Sequence, residues 1–187
     1  LGLAVVFFVL LSQYSQLSPK PWMLDAAAVM FIVAAATDIV DGYIARKRGL
    51  VTPLGRVLDP LVDKMLVCGA FILFVGPGFV DANGHNVTEF KAWMVVVIVG
   101  RELLVTGLRG FNESVGKELG ASIHGKLKMW IQSVAAPTVL FIVAHENHWF
   151  SSDAATGAKT LLVWLTVAVT ALSAIHYLVQ SRHILEE

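Results

Sequence analysis

Six apolar stretches divide the chain, over residues 1–12, 22–46, 55–76, 91–110, 124–145 and 159–181. All but the first reach about the 20 residues that an α-helix needs to cross a bilayer. The links between them carry turn chemistry: Pro19 and Pro21, then Gly49 and Pro53, then Gly76-Pro77-Gly78 with "DANGHN" at 81–86, and finally "HENHWFSSDAATG" at 145–157. Unbroken apolar runs of this length exclude strands, and no alternating pattern of a membrane barrel is present. The pattern predicts an all-α integral membrane protein, a six-transmembrane-helix bundle forming a single domain over 1–187. The opening "LGLAVVFFVLL" is too short to span. It reads as the back half of a first transmembrane helix truncated at its N-terminus. No basic stretch precedes it and no small-residue cleavage site follows, which argues against a signal peptide.

Composition agrees with the pattern. The chain is 56% hydrophobic and 15% charged, with a mean hydropathy of +0.70; soluble domains carry roughly 25% charge. Net charge is zero, so no nucleic-acid footprint is present. The single Cys68 lies in an apolar run and reads as a small buried hydrophobe. Arg46, Lys47, Arg48 and Arg56 surround the second link, and Arg109, Lys117, Lys126 and Lys128 the fourth. Lys20, Lys91 and Lys159 fall on the opposite side. Positive-inside bias puts the two basic links, both chain ends and Arg182 in the cytoplasm. Trp22, Trp93, Trp130, Trp149 and Trp164 read mostly as interface anchors.

Four aspartates break this apolar pattern. Asp38 and Asp41 are three apart near the end of the second stretch; Asp59 and Asp63 are four apart at the start of the third. Each pair shares a helix face. In an antiparallel hairpin, Asp41 and Asp59 lie roughly 7–8 Å from their helix ends and Asp38 and Asp63 roughly 12–13 Å. Carboxylates converging at matched depths repel one another, and a hard divalent cation relieves the repulsion. Spacing alone leaves two other readings open: a cation or proton path, and structural pairing with Lys64, Arg46 or Arg56. Gly42, Ala45 and Gly55 are small residues that let a backbone or ligand come close. Arg46 and Lys47 sit where phosphates could reach.

Asp38-x-x-Asp41-Gly42-x-x-Ala45-Arg46, followed by Gly55, Asp59 and Asp63, resembles the D-x2-D-G-x2-A-R-x8-G-x3-D-x3-D signature of the CDP-alcohol phosphotransferases at every fixed position and gap. The resemblance implies the six-helix bundle of that family, in which an alcohol hydroxyl attacks the β-phosphorus of a CDP-linked lipid and CMP leaves. It also implies two divalent ions, Mg²⁺ or Mn²⁺. Carried over, Asp38, Asp41, Asp59 and Asp63 would hold metal. Asp38, Asp41, Gly42, Ala45, Arg46, Gly55 and Asp59 would bind the CDP moiety, and Asp63 would be the catalytic base. A homodimer in the bacterial inner membrane, with its site facing the cytoplasm, is a further family expectation. Family members carry an N-terminal amphipathic segment before the first span; none is present in this sequence.

A second basic region, 99–130, selects among acceptors. Arg101 and Arg109 are eight apart, close to two turns, and fall on similar faces. Lys126 and Lys128 open the next stretch, and Glu102 reads as orienting an arginine. A cationic cluster suits an acceptor that carries its own phosphate. The stretch is similar to that of the bacterial phosphatidylglycerophosphate synthases, a branch of the family. This implies CDP-diacylglycerol as donor and sn-glycerol 3-phosphate as acceptor, with Arg101, Arg109, Lys126 and Lys128 binding the acceptor phosphate. Phosphatidylinositol phosphate synthases are the runner-up, and a cation transporter is the alternative from another class. His124 reads as an interfacial histidine. His145 and His148 lie across the membrane from the aspartates and are assigned no chemistry.

Overall fold

A computed structural model describes residues 2–48, 53–114, 123–146 and 149–186. Among them are six α-helices: α1 (Gly2–Ser12), α2 (Pro21–Arg48), α3 (Pro53–Phe74), α4 (Ala92–Ser114), α5 (Ile123–His145) and α6 (Ser152–Glu186). No strand occurs among the described residues beyond two isolated bridges, Val80 with Asn86 and Glu146 with Phe150. Pro21 and Pro53 occupy the first positions of α2 and α3, where the missing N–H costs nothing and the fixed φ favours the helix. Pro137 lies inside α5. Thr138 and Thr166 return their hydroxyls to carbonyls one turn back, Val134 and Leu162, as apolar helices allow.

Helix α2 packs against α1, α3 and α5, and α6 packs against α4 and α5. One part of the core is aromatic: Phe71, Phe74, Phe79 and Phe90 stack at 5.0–5.8 Å, with Tyr14 on Phe79 at 5.1 Å. Elsewhere the core holds a polar cluster, with Arg101, Glu102, Lys128, Gln132, Thr170 and Ser173 all buried. Outward faces are apolar; α6 alone turns Leu161, Trp164, Leu165, Leu172, Ile175 and Leu178 to the surroundings. A partly polar interior behind an apolar exterior suits lipid, not water. Among the described residues, two helices, over Pro21–Asp38 and Ser152–Val179, are long and apolar enough to cross a membrane.

Several sequence-based boundaries move. Helix α6 begins seven residues before the expected 159, because Ser151 and Asp153 supply a helix start: the Ser151 hydroxyl accepts from the Ala154 N–H at 3.4 Å. Half of the expected link at 145–157 is therefore helix. Lys159, placed on that outer side, is buried in α6 and donates to Glu146 at 2.8 Å. Trp164 is not at a helix end. It lies twelve residues into α6 and packs on Trp93 at 5.9 Å. The Gly76-Pro77-Gly78 turn contains a short 3-10 turn, Pro77–Phe79.

Candidate active site

The aspartates fall where α2 ends and α3 begins. The two helices touch, and only residues 49–52 join them. Counted from the observed ends at about 1.5 Å per residue, Asp41 and Asp59 lie roughly 10 and 9 Å in, and Asp38 and Asp63 both roughly 15 Å. Both helices are longer than the sequence suggested, by similar amounts, so the levels still correspond. Asp38 is exposed on α2. The side chains of Asp41, Ala45, Arg46, Asp59, Asp63 and Lys126, together with Gly42 and Gly55, lie outside the described residues, as do those of His124 and His148.

One residue beyond Asp63, Lys64 donates from Nζ to the Thr106 hydroxyl of α4. Thr106 in turn donates to the Glu102 carbonyl at 2.6 Å. This contact sets the aspartate end of α3 level with the stretch of α4 that carries the basic cluster.

The cluster is built around one carboxylate. Glu102 accepts from Arg101 Nη1 at 3.2 Å and from Lys128 Nζ, all three side chains being buried. The arginine and the lysine, read from sequence as parts of one cationic cluster, meet on Glu102, the residue read as orienting an arginine. Arg101 also donates from Nη2 to the Ser173 hydroxyl at 2.5 Å. Arg109, exposed two turns along, donates to the Tyr177 hydroxyl. Both guanidinium carbons lie over the Tyr177 ring, 5.5 Å and 5.2 Å from its centroid. Gln132 donates to Thr170 at 3.0 Å and closes the polar layer between α5 and α6.

Sequence reasoning missed Ser173 and Tyr177. A signal was present: Thr166, Thr170, Ser173 and Tyr177 recur at intervals of four, three and four along an otherwise apolar helix, the spacing of a single face.

Beside this region, an apolar cavity of about 890 Å³ runs between α2 and α5. Ala35, Ala36 and Trp130 line it at one end, Asp25 and His145 at the other. The span from Asp25 to Asp38 is about 20 Å at helical rise. Asp25 and His145 approach to 3.7 Å.

Helices α2 and α3 carry the four aspartates, Lys64 of α3 is bonded to α4 beside the cationic cluster, and an apolar cavity lies between α2 and α5. The chain belongs to the CDP-alcohol phosphatidyltransferase family, whose family model matches residues 1–172. Among curated proteins it is similar to the CDP-diacylglycerol–glycerol-3-phosphate 3-phosphatidyltransferase of Bacillus subtilis, 44% identical over 115 residues, which cover 62% of this chain and 54% of that protein. The proteins of the same name from Escherichia coli K12 and Rickettsia bellii are each 31% identical. Those matches cover 95% and 94% of this chain, and 88% and 87% of theirs. Family membership places the chain among transferases and not among cation transporters.

Proposed function

We propose that the chain transfers the phosphatidyl group of CDP-diacylglycerol to sn-glycerol 3-phosphate, giving phosphatidylglycerol phosphate and CMP. The observation that carries this reading is the basic cluster of Arg101, Arg109 and Lys128, tied through Thr106 and Lys64 to the end of α3 that bears Asp59 and Asp63. Choline, serine or ethanolamine would not need such a cluster; an acceptor with its own phosphate does. The names of the relatives support glycerol 3-phosphate over inositol phosphate.

In this reading the donor's diphosphate lies between α2 and α3. Arg46, Gly42, Ala45 and Gly55 surround the cytidine diphosphate, and an acyl chain follows the α2–α5 cavity away from Asp38. The donor set Asp38, Asp41, Asp59 and Asp63 is all oxygen, which fits two hard divalent ions such as Mg²⁺ or Mn²⁺. Bound there, the ions would neutralise charge on the attacking and leaving oxygens. Arg101, Arg109, Lys126 and Lys128 hold the acceptor phosphate and aim its primary hydroxyl at the β-phosphorus. Asp63 takes the hydroxyl proton as the new P–O bond forms, and the bond to CMP breaks on the opposite side. The chain works as a single domain, a six-span bundle in the bacterial inner membrane with this end facing the cytoplasm, and as a homodimer.

The test is CMP release from CDP-diacylglycerol by the purified protein with Mg²⁺ or Mn²⁺, supplied in parallel with glycerol 3-phosphate, inositol 1-phosphate or unphosphorylated glycerol. Turnover with glycerol 3-phosphate is expected to exceed the others by at least about a hundredfold. Turnover with inositol 1-phosphate alone would overturn the acceptor assignment.

A further inference from the structure

Among the described side chains of the cluster, Arg101 and Lys128 share one carboxylate, Glu102, while Arg109 pairs with the Tyr177 hydroxyl. Like charges so placed repel, and something must hold the two guanidinium groups near each other. Tyr177, on α6, is fully buried. Its ring lies within 5.5 Å of one guanidinium carbon and 5.2 Å of the other, where the ring's quadrupole attracts both. Its hydroxyl accepts from Arg109 Nη2. One turn earlier, Ser173 takes Arg101 Nη2, while Glu102 takes Nη1. Arg101 Nε is buried and has no hydrogen-bond partner among the described residues. A buried donor of a charged group left without a partner costs free energy unless a ligand supplies the acceptor.

We propose that Tyr177, supported by Ser173, is a positioning residue that sets the spacing of Arg101 and Arg109, so that the two guanidinium groups together receive the acceptor's phosphate. The inference rests on the acceptor reading given above. Arg101 forms the buried wall and offers Nε. Arg109 forms the exposed mouth, where a water-soluble acceptor enters. Tyr177 touches neither reacting centre. It acts by fixing the geometry of a phosphate clamp whose members would otherwise spread apart, and planar guanidinium recognition depends on that geometry.

The test uses the full chain, purified in lipid, with Tyr177→Phe, Tyr177→Leu and Ser173→Ala. CMP release is measured while glycerol 3-phosphate and CDP-diacylglycerol are varied in turn. Tyr177→Phe is expected to raise KM for glycerol 3-phosphate about tenfold, the scale of one lost hydrogen bond to a charged group. The KM for the donor and kcat should stay within about twofold. Tyr177→Leu should raise the acceptor KM further, and Ser173→Ala should give the same selective pattern. In an Arg109→Ala background, Tyr177→Phe should add nothing, because the pair acts as one unit. Equal changes in both KM values, a change in thermal stability alone, or full additivity with Arg109→Ala would overturn the positioning role. Wild-type protein inert toward glycerol 3-phosphate would instead defeat the acceptor reading itself. Wild-type activity with Tyr177→Phe unchanged would defeat only the positioning role. If Tyr177→Leu does not fold, Tyr177→Phe and Ser173→Ala still decide.

Discussion

Asp59 and Asp63 carry the sharpest expectation at the scale of single residues. Replacing either by Asn keeps shape and hydrogen bonding but removes the charge that a hard cation needs. Asp59→Asn and Asp63→Asn should each reduce CMP release by about a thousandfold or more, while the protein still accumulates in the membrane. Membrane yield and turnover measured on the same preparations check this; retained turnover in either variant would count against the roles given. The placement of these aspartates on two successive helices was legible from sequence because the signal is local. Four carboxylates at spacings of three and four within 26 residues define two helix faces without any tertiary information. The meeting of Arg101 with Ser173, and of Arg109 with Tyr177, was not legible, because those pairs lie 72 and 68 residues apart. A serine and a tyrosine in an apolar helix reveal their partners only once α4 and α6 are packed. Glu102 lay between: its neighbour Arg101 suggested a pairing, but Lys128, on another helix, could not be foreseen.

Among the elements, close approach at the aromatic end of the bundle gives a second expectation. A Cβ on Gly78 would sit 2.5 Å from the Tyr14 carbonyl oxygen, a backbone atom that cannot move aside. The same backbone segment accepts from Gln16 N–H through the Gly78 carbonyl at 2.8 Å. Gly78→Ala should therefore destabilise the fold by about 1–3 kcal/mol. Gly69→Ala, whose Cβ would meet the Phe8 ring, should cost less, because a side chain can turn away. Thermal unfolding of both variants in one detergent compares them. Tyr14, in the link between α1 and α2, adds a pH dependence. Burial pushes its phenol from 10.0 up to about 12, so the fold favours the neutral form. That stabilisation is complete below pH 10 and is lost as pH rises toward 12. The unfolding temperature should fall between pH 9.5 and 11.5 by more in wild type than in Tyr14→Phe; equal falls would remove Tyr14 as the cause. At this scale the sequence was a good guide to how many helices form and a poorer one to where they end. Apolar run length locates a helix, but ends are set by caps such as Ser151 and by prolines such as Pro21 and Pro53.

For the whole molecule, the apolar exterior, the polar layer around Glu102 and the α2–α5 cavity describe one division of labour. The apolar outside suits lipid, the cavity suits the donor's tail in the proposed reading, and the basic cluster lies on the part of α4 that is tied to α3. The central claim is that this end joins a lipid donor to a phosphorylated acceptor with the help of divalent ions. Its most direct measurement is transfer of labelled glycerol 3-phosphate into lipid by chelator-treated protein, with CMP counted in the same tube. The account predicts one label in lipid for each CMP released, only after Mg²⁺ or Mn²⁺ is returned, and none in Asp63→Asn. CMP released without label entering lipid, or equal transfer with the ions withheld, would contradict it.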